Sequence, residues 1–530
     1  MKTALKNTEV DLLVIGGGVN GSGIARDAAG RGLKVLLCEK ADLAGHTSSA
    51  STKLIHGGLR YLENYEFKLV RESLIEREIL LRAAPHIIWP QRFVLPHHKG
   101  LRPAWLLRLG LFIYDHLGGR KLLPATTKVH FANTPQGAVL SKTLRFGYEY
   151  SDCAVDDARL VVLNAVSAAE KGAEVLTRTA CTNLVREDDV WRATLTSQQA
   201  GQQEGQQEDQ PASEQVVTAR AVVNAAGPWV DEILDNALAG RNVNKLRLVK
   251  GSHIVTRKLF EGDDAYLFQH KDGRVIFAIP YMGDYTLIGT TDIPHENSDE
   301  PAVISSEETS YLCELISEYL ANPLTAEDVL WSYSGVRPLF DDQEANASVV
   351  TRDYAFEVNG QPGEAPLLSI YGGKLTTYRK LSEQAVDKLE PVLKSPTPAH
   401  WTATASLPGG EIDNANFAGL AADVSREYLG FPQGLVMRLL RAYGTRARQV
   451  LGDAQRVEDL GTEFGEGLYE AEVRYLLRNE FALTAQDILW RRSKLGLKLS
   501  EAQAQRLQIW LDKQAALVSS TNSQATRAAG

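Results

Sequence analysis

The stretch from Val10 to Glu39 restricts the possible folds of this chain more than any other. An apolar run, Val10-Asp11-Leu12-Leu13-Val14-Ile15, leads into Gly16-Gly17-Gly18-Val19-Asn20-Gly21, which has G-x-G-x-x-G spacing. A small-residue helical pattern with Ile24, Ala25, Ala28 and Ala29 follows. The chain turns at Gly30-Arg31-Gly32 into a second apolar run, Lys34 to Cys38, that ends at Glu39. The order is strand, glycine turn, helix, strand, acid. Gly16 allows the tight turn, Gly18 lets the backbone approach a pyrophosphate, and Gly21 lets the helix pack closely on the strand. The start of the helix aims unpaired N–H groups and a positive dipole end at phosphate. Glu39, eighteen residues beyond Gly21, stands where a carboxylate accepts hydrogen bonds from a ribose hydroxyl. This unit alone predicts an α/β protein with a dinucleotide site, and NAD satisfies it as well as FAD.

A chain of 530 residues has room for two or three domains. Its net charge of −9 argues against a general nucleic-acid-binding role. Cys38, Cys153, Cys181 and Cys313 are far apart and form no C-x-x-C, so neither a metal cluster nor a disulfide framework is expected, and a reducing compartment fits. The leader Met1 to Glu9 is too short and polar for a secretory signal, and no apolar run is long enough to span a bilayer.

Residues 41–64 form a hydroxyl- and glycine-rich loop in which Thr47, Ser48, Ser49, Ser51 and Thr52 can bond phosphate or ribose. Helices are predicted from Tyr65 to Ala84, ending at Pro85, and from Leu160 to Lys171, ending at Gly172. Pro103 to Leu117 is read first as a buried helix; the alternative is an interfacial one flanked by Arg102, Arg108 and Arg120. The Gln-, Glu- and Gly-rich stretch 197–215 reads as a flexible hairpin insert or surface loop. Alternating runs at Ser252 to Val255, Arg274 to Ile279 and Tyr285 to Gly289 predict an antiparallel sheet. Residues 306–321 read as a helix. Leu367 to Tyr371, Gly372-Gly373-Lys374-Leu375-Thr376 and a helix from Tyr378 to Leu389 make a second strand, glycine turn and helix. Beyond Pro408-Gly409-Gly410 the pattern is helical to about Val518, including a capping box at Ser500 and Gln503. The polar tail 519–530 is expected to be disordered.

Several distinctive blocks lie along the chain: Gly16 to Gly21, Thr47 to Tyr61, Asn224-Ala-Ala-Gly-Pro-Trp229, Lys250-Gly-Ser-His253, Ile288-Gly-Thr-Thr-Asp292, Ser334-Gly-Val-Arg-Pro338 and Tyr371 to Arg379. Together they closely resemble the bacterial FAD-dependent, respiratory glycerol-3-phosphate dehydrogenases, over about residues 9–515. The resemblance implies a Rossmann-like FAD-binding domain of the glycine-oxidase type, an antiparallel-sheet substrate domain and an all-helical C-terminal cap. The expected boundaries are 9–405 for the interleaved body, 406–518 for the cap and 519–530 for the tail. Within the body, 9–85, 145–245 and 335–395 are assigned to FAD, and 86–144 and 246–334 to substrate. It also implies oxidation of sn-glycerol 3-phosphate to dihydroxyacetone phosphate, electron transfer to ubiquinone, peripheral contact with the cytoplasmic face of the inner membrane, and a homodimer.

By that resemblance, FAD is expected to meet Gly16, Gly18, Gly21, Glu39, Thr47, Ser48, Ser51, Lys53, Leu54, His56, Ala226, Gly227, Trp229, Gly373, Lys374, Leu375 and Thr376. Arg60, Tyr61, Arg274, Arg352 and Lys374 are candidates to hold the substrate, since a phosphate dianion calls for fixed cations. His253 is a candidate general base or alkoxide stabiliser, and Arg337 an alternative electrostatic stabiliser. Two candidate membrane surfaces are Trp105 to Tyr114 and the basic group Arg491, Arg492, Lys494 and Lys498. The competing readings are a glycerol-3-phosphate oxidase that passes electrons to oxygen, and a non-catalytic nucleotide-binding membrane scaffold.

Overall fold

Leu12, Leu13 and Val14 have no exposed surface because their strand, Asn7–Ile15, lies inside a sheet covered on both faces. A computed structural model describes residues 7–197, 213–238, 246–270, 274–340 and 353–528 of the chain. Among them, Asn7–Ile15 pairs in parallel with Ser213–Asn224 on one side and Val35–Cys38 on the other. Glu174–Leu176 extends this sheet in parallel beyond Val35–Cys38, and Leu367–Tyr371 does so beyond Ser213–Asn224. The helix Val19–Gly30 crosses between the first two strands, and Ala25 and Ala28 on it are fully buried against the helix Asp157–Glu170. Small side chains permit that approach. The arms Val190–Ser197 and Ser213–Asn224 pair as a hairpin, whereas most of the Gln-rich insert lies outside the described residues.

The second sheet is largely antiparallel. Leu246–Arg257 is bracketed by Tyr285–Gly289 and Val329–Phe340. Val275–Tyr281 and Ala265–Gln269 continue it, and a parallel contact joins Ala265–Gln269 to Ile88–Pro96. Phe146–Val155 then pairs with Ile88–Pro96, and Leu54–Ile55 with Phe146–Val155. The boundaries expected at 145 and 335 therefore move. Phe146–Val155 and Val329–Phe340 are committed to the second sheet by long registers with partners far away in sequence, which local apolar pattern does not reveal.

The C-terminal unit has its own core, with Val436, Leu440, Leu468, Val473, Leu476 and Leu507 buried. It is not all-helical. Glu463–Gly465 and Leu468–Tyr469 form a short hairpin. Its turn, Gly465-Glu466-Gly467, has φ of +131°, +53° and +71°, a run that two glycines make accessible. The last helix runs Glu501–Ala528. The stretch expected to be disordered is thus helical to Ala528, for the tail holds neither Pro nor Gly before Gly530.

The basic group in this unit also departs from expectation. Arg491 pairs with Asp42 and Asp487. The fully buried Arg492 places Nη1 and Nη2 each 2.8 Å from a carboxylate oxygen of Asp42. Lys498 reaches Asp284 at 2.5 Å. Burial, helped by the neighbouring Lys53, pushes the Lys494 ammonium down to about 8. Arg491, Arg492 and Lys498 thus fasten the C-terminal unit to the body. The helix Ala104–Leu117 instead has two characters: Leu111, Tyr114 and Asp115 are buried, while Trp105, Leu109 and Phe112 are 69%, 47% and 53% exposed. Among the described residues, no helix is long and apolar enough to cross a membrane.

Candidate active site

Two cavities, of about 300 and 310 Å³, share Val19, Thr47, Ser48, Pro338, Gly372 and Gly373 and so form one bent channel. The first is built mainly from backbone. Gly16 has φ +112°, and a Cβ there would lie 2.4 Å from the Ala225 carbonyl oxygen. A Cβ on Gly21 would lie 1.9 Å from the Gly16 oxygen, so Gly21 lets the helix start directly on the strand. Gly18, at the helix start, lines the channel and has no capping side chain. The N–H end of that helix suits a diphosphate. Ser48 Oγ accepts from the Val19 N–H at 3.0 Å.

Glu39 is buried and accepts from the Gly17 N–H at 2.6 Å and the Ala41 N–H at 2.8 Å. It braces the glycine turn while lining the channel where a ribose would lie. Burial raises its proton affinity, and the two N–H donors act in the other direction. At the far end, Ala226, Gly227 and Trp229 form a wall, with Lys40 Nζ 3.5 Å from the Trp229 ring centroid and the His46 ring 4.6 Å from it. Burial, aided by Lys40 and Arg491, lowers His46 to about 4, so its ring is neutral near pH 7.

At the bend, the two glycine turns meet. Asn20 Nδ2 donates to the Gly372 carbonyl at 3.2 Å, while its buried Oδ1 has no hydrogen-bond partner among the described residues. Gly372 and Gly373 have φ of +72° and +98°. Thr376 Oγ1 accepts from the His56 N–H at 3.1 Å and donates to the His56 carbonyl at 3.2 Å. Thr47, Ser51, Leu54, His56, Lys374 and Leu375 also line this part. Lys53 does not. Its Nζ turns away to Asp157, 2.8 and 2.9 Å from the two oxygens, and to the Ser49 carbonyl. Its side chain is therefore an internal brace: an ammonium buried to this degree needs a fixed anion, and Asp157 supplies it. Ser51 Oγ donates to the same carboxylate at 2.8 Å.

The inner cavity brings together most of the expected polar groups. Arg60, Tyr61, His253, Arg274, Arg337 and Lys374 all line it; Arg352 lies outside the described residues. Lys374 Nζ sits 4.3 Å from the Tyr61 ring centroid, and the Arg274 guanidinium 4.6 Å from that of Tyr311. Arg337 pairs with Asp292 and donates to Thr290 Oγ1 at 2.9 Å. Gly251 opposite it leaves the room: a Cβ there would lie 2.2 Å from Arg337 Nη2.

His253 is 1% exposed and stacks on Tyr333 at 4.8 Å and 13°. Its Nε2 is 3.0 Å from Thr52 Oγ1, and its Nδ1 has no hydrogen-bond partner among the described residues. Burial first, then Arg337 and Lys53, hold its pKa well below the ordinary imidazole value. The ring is neutral. Thr52, expected among the loop hydroxyls that meet phosphate or ribose, instead meets His253, while Asn20, Thr290 and Asp292 were missed as site residues by the sequence reading. The Gly-Thr-Thr-Asp block was visible, but its role depends on the pairing of His253 with Gly289 and of Val249 with Arg337.

The geometry fits FAD. Backbone N–H groups and glycines surround one arm, an unpartnered amide oxygen sits at the bend, and cations gather in the other arm. A family profile described as "FAD dependent oxidoreductase" matches residues 11–379, and one described as "C-terminal domain of alpha-glycerophosphate oxidase" matches 400–518. The chain is 51% identical to D-erythritol 1-phosphate dehydrogenase of Brucella abortus, covering 95% of this chain and 97% of that one. It is 50% identical to glycerol-3-phosphate dehydrogenase of Pseudomonas aeruginosa, covering 95% of each. The solved glycerol-3-phosphate dehydrogenase of Bacillus halodurans, complexed with FAD, superposes with a TM-score of 0.72 at 27% identity, over 95% of this chain and 94% of the other. A nucleotide channel of this construction, matched over nearly the whole chain, means that the protein belongs to the FAD-dependent glycerol-3-phosphate dehydrogenase family.

Proposed function

We propose that this protein oxidises sn-glycerol 3-phosphate to dihydroxyacetone phosphate with FAD and passes the electrons to ubiquinone. The observation that carries the reading is the gathering of Arg60, Arg274, Arg337 and Lys374 around the buried, neutral His253 in one cavity. FAD supplies the hydride acceptor. The chain has three tasks: gripping a phosphate dianion, holding the reacting hydroxyl, and taking its proton.

The cations divide those tasks. Arg337 already spends donors on Asp292 and Thr290. It is better suited to steadying an oxygen that becomes negative than to clamping phosphate with both prongs. Arg60 and Arg274 are assigned to the phosphate, and Lys374 to the side where negative charge collects on reduction. His253 takes the hydroxyl proton. A dianionic substrate beside it raises the proton affinity that burial has lowered.

A four-carbon polyol phosphate is the second reading, because the D-erythritol 1-phosphate enzyme and a glycerol-3-phosphate enzyme are equally similar to this chain. Anaerobic mixing of the yellow protein with each compound separates the readings. The expected result is bleaching of the flavin band by glycerol 3-phosphate at a lower concentration than by erythritol 1-phosphate. No bleaching by either leaves the non-catalytic scaffold. Quinone reduction without peroxide on reoxidation supports the dehydrogenase, and stoichiometric peroxide the oxidase.

Peripheral membrane contact is assigned to the outer face of Ala104–Leu117, where Trp105, Leu109 and Phe112 stand between Arg102, Arg108 and Arg120. The mixed exposure of this helix departs from the buried helix expected from the sequence.

A further inference from the structure

The turn from His56 to Tyr61 carries two of the proposed substrate contacts, Arg60 and Tyr61, and is held by residues that do not line the cavity. The Gly57 N–H donates to Tyr114 Oη at 2.8 Å and, more weakly, to Asp152 Oδ1 at 3.3 Å. The Tyr114 hydroxyl lies 2.9 and 2.8 Å from the two oxygens of Asp152. Arg77 completes the group, 2.6 Å from Asp152 Oδ1 and 2.8 Å from the Ser151 carbonyl. Tyr114, Asp152 and Arg77 are 1%, 2% and 2% exposed. The turn fits closely against this group: a Cβ on Gly57 would lie 2.6 Å from Tyr114 Oη and 2.4 Å from Leu74. Gly58, with φ +76°, then redirects the chain into the short helix Leu59–Asn64.

Two elements therefore meet one backbone N–H, the helix Ala104–Leu117 through Tyr114 and the strand Phe146–Val155 through Asp152, and a third, the helix Phe67–Ala83, holds Asp152 through Arg77. A buried carboxylate paired with an arginine is costly to assemble and fixed once assembled. We propose that Tyr114, seated by Asp152 and Arg77, is a positioning residue that sets the Gly57 turn and thereby the placement of Arg60 and Tyr61 toward the substrate phosphate. The proposal rests on the reading of Arg60 as a substrate contact.

The test uses the FAD-loaded protein. Tyr114→Phe keeps the ring and removes the hydroxyl. The expected outcome is a rise in KM for glycerol 3-phosphate of about tenfold, the scale of one lost hydrogen bond, with kcat little changed and flavin content intact. If Tyr114 acts through Arg60, Tyr114→Phe on top of Arg60→Ala adds no further loss. An unchanged KM in Tyr114→Phe, or losses that multiply in the double variant, overturns the proposal. Arg60→Ala with an unaltered KM overturns the reading of Arg60, while the Tyr114→Phe shift still decides whether the turn is positioned this way. If Tyr114→Phe does not accumulate folded, Arg77→Lys, which keeps the charge on Asp152, is measured in the same way with the same two outcomes.

Discussion

The two arms of the channel are built on opposite plans. The outer arm is centred on backbone contributed by neighbouring residues, with Gly16, Gly18 and Gly21 shaping it and Glu39 tying it down through two N–H groups, and Ala226, Gly227 and Trp229 only close its far end. The inner arm is made of side chains from distant segments, with Arg60, His253, Arg274, Arg337 and Lys374 assembled by the register of a second sheet. The difference teaches that binding the nucleotide is a property of a local fold, whereas choosing and oxidising a substrate is a property of long-range pairing. Damage to the first removes the cofactor. Loss of a polar side chain from the second is expected to leave a yellow protein that works badly.

The strongest way to break this contrast is Gly16→Val. The positive φ and the Ala225 oxygen leave no room for a branched side chain, so flavin loading is expected to vanish, checked by the absorbance of purified protein. Retained flavin would mean that the outer arm is more plastic than its geometry. A milder cut falls on the inner arm. His253→Asn is expected to lower turnover about 100-fold across neutral pH, the scale of lost general-base catalysis, with flavin content unchanged. Loss of the flavin instead would show that the two arms are not separable.

An effect on stability and not on activity lies outside both arms. His86 is fully buried with neither ring nitrogen hydrogen-bonded among the described residues, and burial beside Arg159, Arg441 and Arg446 lowers it to about 3. The unfolded chain binds this proton below about pH 6.5 and the folded chain does not. Its contribution is therefore complete above pH 6.5 and is lost as pH falls toward 3, amounting to about 5 kcal/mol over that window. His86→Leu is expected to flatten the acid limb of a urea-unfolding series between pH 4 and 7. An unaltered slope would place the lost protons on other groups.

What could be read in the sequence follows the same division. The Gly16–Gly21 turn and Glu39 were legible because their geometry is written in contiguous residues. Arg60, His253 and Arg337 were legible as candidates only through whole blocks resembling a family; nothing local distinguishes Arg337, held by Asp292 and Thr290, from an arginine in any ion pair. Lys53 shows the limit most clearly. It sits among cavity-lining residues, yet its ammonium points to Asp157, a partner 104 residues away. Arg491 and Arg492 looked like a basic surface because their anion, Asp42, belongs to a different part of the chain.

That last pairing ties the C-terminal unit to the cofactor. Asp42 stands two residues before Ala44, which lines the outer arm, and the Asp42 carboxylate is the anchor for Arg491 and Arg492. Nucleotide that orders this loop strengthens the seat of the C-terminal unit, and seating that unit strengthens the hold on nucleotide, in equal measure by thermodynamic reciprocity. Loosening either one is then expected to loosen the other.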